Sequence, residues 1–260
     1  MENFSVITSR ENSLIKLVSA LQGSAAKRRE NGLFVLEGLR ICKDACENGI
    51  RFDKLIVSDT AIQKYGEDIE AFSENAAECF KIPHSLFLKI SDTKTPQGII
   101  AVCKIPLTDK SKIKNNGRYV ALENMQDPAN LGAVSRTAEA LGADGLILSA
   151  DGCDPYSPKA LRASMGTLLR MPIFIFGDFA AEIKASGLTS YACVVDKSAE
   201  SIKEVDFQDG CAVLIGNEGN GLTDATKSAA QKKITIPMNG RAESLNAAAA
   251  AAIAIWEMMK

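Results

Sequence analysis

The chain has 260 residues, with 30 Lys and Arg against 32 Asp and Glu, a formal net charge of −2 and 46% hydrophobic residues. This is the composition of a globular protein and excludes a collagen, a disordered tail or a disulfide-knit miniprotein. The near-neutral balance also excludes coating of nucleic acid by bulk charge and leaves only a local basic face open.

In chain order, the opening segment MENFSVITSRENSLIK has early charges and no long apolar run, unlike a signal peptide. Apolar residues at Leu14, Ile15, Leu17, Val18 and Leu21 predict a helix over 12–21. A basic run, Lys27-Arg28-Arg29, follows it. A strand is predicted over 33–36, a turn at Glu37-Gly38, and a helix over 39–47 that stops at Gly49. Strands over 54–57, 79–82 and 99–105 complete a small α/β layer. Residues 106–117, PLTDKSKIKNNG, read as a linker, because Pro, Asn-Asn-Gly and alternating Lys break any apolar period. The chain therefore divides into 1–105, the linker 106–117, and 118–260. Charges balance in the first part, whereas the last has 13 basic against 17 acidic residues.

The second part alternates more plainly. Strands are predicted over 119–122, 145–148, 173–175, 191–195, 212–215 and 234–237, with helical patterns between most of them and a last helix from Leu245. Such alternation implies a mostly parallel sheet covered on both faces. Ligands of such sheets sit beyond the carboxyl ends of the strands. The seven cysteines are scattered, form no CxxC pair and read as reduced thiols of a cytoplasmic protein. With one His in the chain, no metal site is expected. The Ala-rich C-terminus is too short and too weakly apolar to span a bilayer.

Three loops at strand ends carry the polar residues. The first, 123–132, runs through Asp127-Pro128, a helix start with Pro in the first turn, to Asn130 and on to Arg136. A solvated Arg on an amphipathic helix is the plain alternative. The second, 215–222, sets three Gly around Asn217 and Glu218 and lacks both a P-loop lysine and GxGxxG. A strand-exit turn explains its glycines but not the Asn-Glu pair. The third, 236–246, enters the Ala helix, where Ser244 or Asn246 suits a capping position. The Ala run itself implies that something packs very close to that helix.

Together, DPxNxGxxxR (127–136), IGNEGxGL (215–222) and IPMxGxxESLN (236–246) resemble the three motifs of the SpoU family of RNA ribose 2′-O-methyltransferases, in the trefoil-knotted SPOUT class. Upstream, SRENSLIKLVSAL, FVLEGLRICKDA and TPQGIIAV resemble the substrate-binding domain found in many members. The resemblance implies an α/β fold: a mostly parallel C-terminal sheet with a trefoil knot, preceded by a smaller ribosomal-protein-like RNA-binding domain. It implies S-adenosylmethionine as methyl donor. The cofactor-holding positions fall on Ile215, Gly216, Asn217, Gly219, Ile236, Met238 and Leu245, and the catalytic ones on Arg136, Asn130, Glu218, Ser244 and Asn246. Because Arg hardly ever loses its proton, Arg136 is read as a cation that stabilises the forming alkoxide or holds a phosphate. Lys27, Arg28, Arg29 and Arg40 are the candidate RNA phosphate contacts, with Arg162 in SPKALRASMGTLLRMP a further one, against the plain reading of a solvated charge run. Ribosomal RNA is the first expectation for substrate, transfer RNA the second, and a non-catalytic RNA-binding protein on the same scaffold the alternative of another class. A homodimer is expected from the final helix, apolar nearly all round.

Overall fold

The computed structural model describes residues 4–106 and 109–260. Met1–Asn3 of the opening segment and Leu107 and Thr108 of the expected linker lie outside the described residues. The elements in chain order are β1 (Ser5–Val6), α1 (Ser13–Gly23), α2 (Ala25–Asn31), β2 (Leu33–Glu37), α3 (Leu39–Glu47), β3 (Phe52–Ser58), α4 (Asp59–Lys64), α5 (Gly66–Glu74), β4 (Ala76–Ile82), α6 (His84–Ile90) and β5 (Ile99–Lys104). They continue with β6 (Arg118–Leu122), α7 (Pro128–Leu141), β7 (Gly145–Ser149), α8 (Pro158–Ser164), α9 (Thr167–Arg170), β8 (Ile173–Phe176), α10 (Phe179–Ala185), β9 (Thr189–Cys193), β10 (Glu200–Ser201), β11 (Cys211–Ile215), α11 (Asp224–Ala229), β12 (Lys232–Thr235) and α12 (Ala247–Met258).

Two compact units form. The first holds residues up to Pro106 together with Tyr156–Leu169, and the second holds the rest. In the first unit five strands run β1-β4-β3-β5-β2, parallel from β1 to β3 and antiparallel at β3-β5 and β5-β2. The apolar stripe of α1 is buried as its spacing requires, with Leu14, Ile15, Val18 and Leu21 packed on Val35, Ile56, Phe87 and Ile100. The basic run turns out to be helical. Ser24 caps α2 through Lys27 N–H at 3.3 Å, and Gly32 closes it at φ 64°. Segment 156–169, which the chain order assigns to the second part, packs in the first unit: Tyr156 lies 5.0 Å from Phe34 between ring centroids, and Arg162 pairs with Asp92 at 2.7 Å.

The second unit is a seven-stranded, all-parallel sheet in the order β10-β12-β9-β11-β6-β7-β8. Its middle strands are buried on both faces, which is why β6, β7 and β11 read as unbroken apolar runs. From β6 the chain moves outward through β7 to β8, then crosses to the other side for β9 and returns to place β11 between β9 and β6. The direction of winding thus changes between β6 and β11, and the loops leaving these strands meet at the switch point where open α/β sheets bind ligands. The last strand ends at Thr235, two residues before the expected end, because Pro237 has no N–H for the ladder. Helix α12 then packs against α7, β11 and β6. No helix among the described residues is long and apolar enough to cross a membrane.

Candidate active site

The first loop leaves β6 with Glu123, a buried carboxylate that accepts from Thr223 N–H at 2.8 Å, from Thr223 Oγ1 at 2.7 Å and from Thr226 Oγ1 at 2.5 Å. This fixes the exit of the second loop to the first. Asn124 follows in the left-handed region at φ 51°, and its carbonyl accepts from Asn217 Nδ2 at 2.9 Å. Asp127 caps α7 through Ala129 N–H at 2.9 Å, with Pro128 in the first turn as the sequence predicts.

The second loop is a tight reversal. Asn217 and Gly221 exchange backbone hydrogen bonds of 3.0 and 2.9 Å, and Asn217 Oδ1 accepts from the N–H groups of Gly219 and Asn220. A Cβ on Gly216 would lie 2.0 Å from the Gly221 carbonyl carbon, so only glycine fits there. Glu218 reaches back to the first loop. Its Oε1 accepts from Asn130 Nδ2 at 3.0 Å and Asp127 N–H at 3.1 Å, and its Oε2 accepts from Gln126 N–H at 3.1 Å. Burial pushes this carboxyl up, but the bonds from Asn130 and the backbone amides outweigh it and hold the group below its ordinary value. Asn130, itself buried, accepts at Oδ1 from Asn246 Nδ2 at 3.2 Å. Asn246 in turn caps α12 through Ala248 and Ala249 N–H at 2.9 and 3.2 Å. The capping role therefore belongs to Asn246, while Ser244 stays exposed on the loop. One chain of hydrogen bonds, Glu218–Asn130–Asn246, thus ties all three loops together.

Beside this chain lies a cleft of about 490 Å³. Of the sequence-predicted residues, Ile215, Gly216, Asn217, Glu218, Gly219, Ser244 and Leu245 line it, and Ile236, Met238, Asn130, Asn246 and Arg136 do not. Arg136 is exposed and makes no hydrogen bond or ion pair among the described residues. Its six-residue offset from Asn130 turns it off the face that carries the amide chain. The sequence reading missed the wall formed by Cys193, Val194, Val195 and Asp196, together with Lys227 and Lys233. Burial drives the Cys193 thiol up to about 12, so it is a neutral part of that wall. No motif marks this stretch; the only available signal is its place at the end of a central parallel strand.

The basic candidates separate. Lys27, Arg29 and Arg40 are exposed. Lys27 pairs with Glu30 at 2.8 Å, and Arg162 with Asp92. Arg28 is not a phosphate contact: it is 4% exposed and donates to the Leu21 and Gln22 carbonyls at the end of α1. It satisfies carbonyls that a helix end leaves without partners.

Residues 117–256 match the SpoU rRNA Methylase family and residues 12–101 match the MRM3-like substrate binding domain. The chain belongs to the SpoU methylase family. It is 29% identical to the 23S rRNA (guanosine(2553)-2′-O)-methyltransferase RlmP of Bacillus subtilis, over 97% of this chain and 98% of that one. Among solved structures it resembles an AdoMet-bound rRNA methyltransferase from Sinorhizobium meliloti, with a TM-score of 0.84 at 27% identity over 98% and 97% of the two chains. The SpoU methyltransferase AviRb from Streptomyces viridochromogenes, in complex with AdoMet, gives a TM-score of 0.84 at 27% identity over 96% and 97%. The family read from the three motifs, its SPOUT fold, the RNA ribose methyltransferase activity and the S-adenosylmethionine cofactor are thereby borne out.

Proposed function

We propose that this SpoU-family enzyme methylates a ribose 2′-hydroxyl of ribosomal RNA and works as a homodimer in the cytoplasm. The observation that carries the activity is the Glu218–Asn130–Asn246 chain, which fixes three polar loops around one cleft at the switch point of the sheet. The donor set of the cleft fits the cofactor. Backbone groups of 237–245 form no hydrogen bond to other backbone among the described residues, which leaves N–H and C=O groups for the edge of a heterocycle. Ile215 and Leu245 supply apolar lining. When bound, S-adenosylmethionine supplies a methyl group activated by its sulfonium.

The chain's own residues position and polarise the acceptor. Asn130 has its amide fixed at both ends, so its orientation needs no adjustment during reaction. Ser244 lines the cleft and makes no hydrogen bond among the described residues, which suits a hydroxyl that orients the ribose. The ribose oxygen becomes anionic as it reacts, and Arg136, permanently charged, stabilises it as a cation rather than as a base.

The dimer is supported by Ala249, Ile253 and Trp256, which form one exposed stripe on α12, with Trp256 56% exposed. A second copy covering this stripe and the neighbouring α7 accounts for an Arg136 that lies outside its own chain's cleft. Exposed Lys27, Arg29 and Arg40 are the RNA phosphate contacts of the first unit. Ribosomal RNA is favoured over transfer RNA because two relatives that match across the whole chain, the Bacillus subtilis enzyme and the 23S rRNA (uridine(2479)-2′-O)-methyltransferase of Streptomyces viridochromogenes, are named for a single ribosomal site, whereas others of that span carry both tRNA and rRNA in their names. Mapping ribose methylations in RNA from cells with and without the gene tests the reading. Loss of one ribosomal site supports it; loss of a transfer-RNA site instead, or of none, overturns it.

A further inference from the structure

We propose that Asp196, outside the three motifs, holds the ribose diol of S-adenosylmethionine from the far wall of the cleft. The inference rests on the cofactor reading of that cleft. Two carboxylates line it, Asp196 and Glu218. Both oxygens of Glu218 are committed to the first loop, through Asn130, Asp127 and Gln126. Asp196 is committed on one side only: Oδ1 accepts from Ser198 N–H at 2.8 Å and from Ser198 Oγ at 2.7 Å. These two bonds, with Ala199 N–H donating to the Asp196 carbonyl at 3.2 Å, fix a turn three residues beyond β9. Oδ2 makes no hydrogen bond among the described residues.

An ionised carboxylate is an acceptor only, and the cofactor offers three groups of donors: the paired hydroxyls of the ribose, the 6-amino group of the adenine and the ammonium of the amino-acid tail. The surroundings of Asp196 select between them. Val195 beside it is 69% exposed and apolar, which suits the face of a nucleoside rather than a charged tail. Lys233, another cleft residue, makes no hydrogen bond among the described residues, and its charge helps to keep the Asp196 carboxyl ionised. The Ser198 bonds keep the Asp196 carboxyl below its ordinary value, so it stays an acceptor at working pH.

Calorimetric titration of the full chain decides this with two probes: S-adenosylhomocysteine, and 5′-methylthioinosine, which keeps the ribose but lacks both the amino-acid tail and the 6-amino group of adenine. Asp196→Asn preserves the acceptor for Ser198 but removes the carboxylate. It should weaken both probes by the same factor, about tenfold or more, as expected for a hydrogen bond to a charged group. Ser198→Ala, which removes one turn contact and leaves the carboxylate, should change either affinity less than threefold. Weakening of S-adenosylhomocysteine alone would place Asp196 at the tail or at the adenine amino group and overturn the proposal. Unchanged affinity for both probes, or an equal loss in Ser198→Ala, would also overturn it. A wild-type chain that binds neither probe would refute the cofactor reading itself, a result distinct from these.

Discussion

At the residue scale, the site depends on a few side chains with several partners each. Gly216 is the least replaceable. Its missing Cβ would lie 2.0 Å from the Gly221 carbonyl carbon, so Gly216→Ala must open the second loop. It should weaken S-adenosylhomocysteine binding by tenfold or more, ~1.4 kcal/mol or above, while far-UV circular dichroism stays native. Arg136→Ala should behave in the opposite way. The side chain lines no part of the cleft and makes no hydrogen bond or ion pair among the described residues, so cofactor affinity should stay within about tenfold while methyl transfer is lost. Near-normal turnover would remove Arg136 from the chemistry. Glu218 gives a pH signature. Its folded pKa is depressed, so its contribution is present above the ordinary value of 4.5 and is lost as pH falls through the folded value. Urea titrations should therefore show Glu218→Gln less stable than wild type at neutral pH, with the difference shrinking in acid. Arg28 illustrates a limit of reading by residue type. A basic triplet looks like one patch in sequence, yet helix geometry turns its middle member into the protein.

At the scale of elements, the sequence was legible where one physical demand acted locally. Unbroken apolar runs located β6, β7, β11 and most of the other central strands, and Asp127-Pro128 marked the start of α7. The three polar loops were legible because each carries residues that a plain turn does not need. What was not legible depends on the packing of distant segments. The Cys193–Asp196 wall is ordinary apolar strand in sequence and becomes part of the cleft only when β11 and β12 flank β9. Segment 156–169 has no composition that assigns it to the first unit; Phe34 and Asp92 do so from over 60 residues away. The Ala run of α12 did announce close packing, and Ala251 is fully buried in that helix. Ala251→Leu should therefore overpack it, lowering stability by about 1–3 kcal/mol in denaturant titration. Ala249→Leu on the exposed stripe should leave the stability of a lone chain nearly unchanged.

At the scale of the whole molecule, the assembly and the division into units make separate predictions. Ile253→Glu places a charge in the exposed stripe of α12 and should convert a dimer near twice 27.8 kDa into a monomer by light scattering. If the wild-type chain is already monomeric and fully active, the dimer reading fails. In the first unit, charge-neutral replacement of Arg29 and Arg40 should weaken RNA binding and flatten its salt dependence, whereas Arg28→Met should lower stability by about 1–3 kcal/mol through carbonyls left without donors.

The position of β11 has a consequence for how the enzyme is made. Its neighbours, β9 and β6, both precede it in the chain, and the slot between them lies at the centre of the sheet. During synthesis β6, β7 and β8 can associate as they emerge, but that slot stays open until residues 211–215 leave the ribosome. The loop that carries Glu218 and the helix that Asn246 caps follow still later. Contacts spanning about 90 residues and more, such as Glu218 to Gln126 and Asn246 to Asn130, therefore close only after both loops have been made. A nascent or C-terminally truncated chain should be unable to hold cofactor. The insertion of β11 into the middle of the sheet and the building of the site are thus one late step of folding.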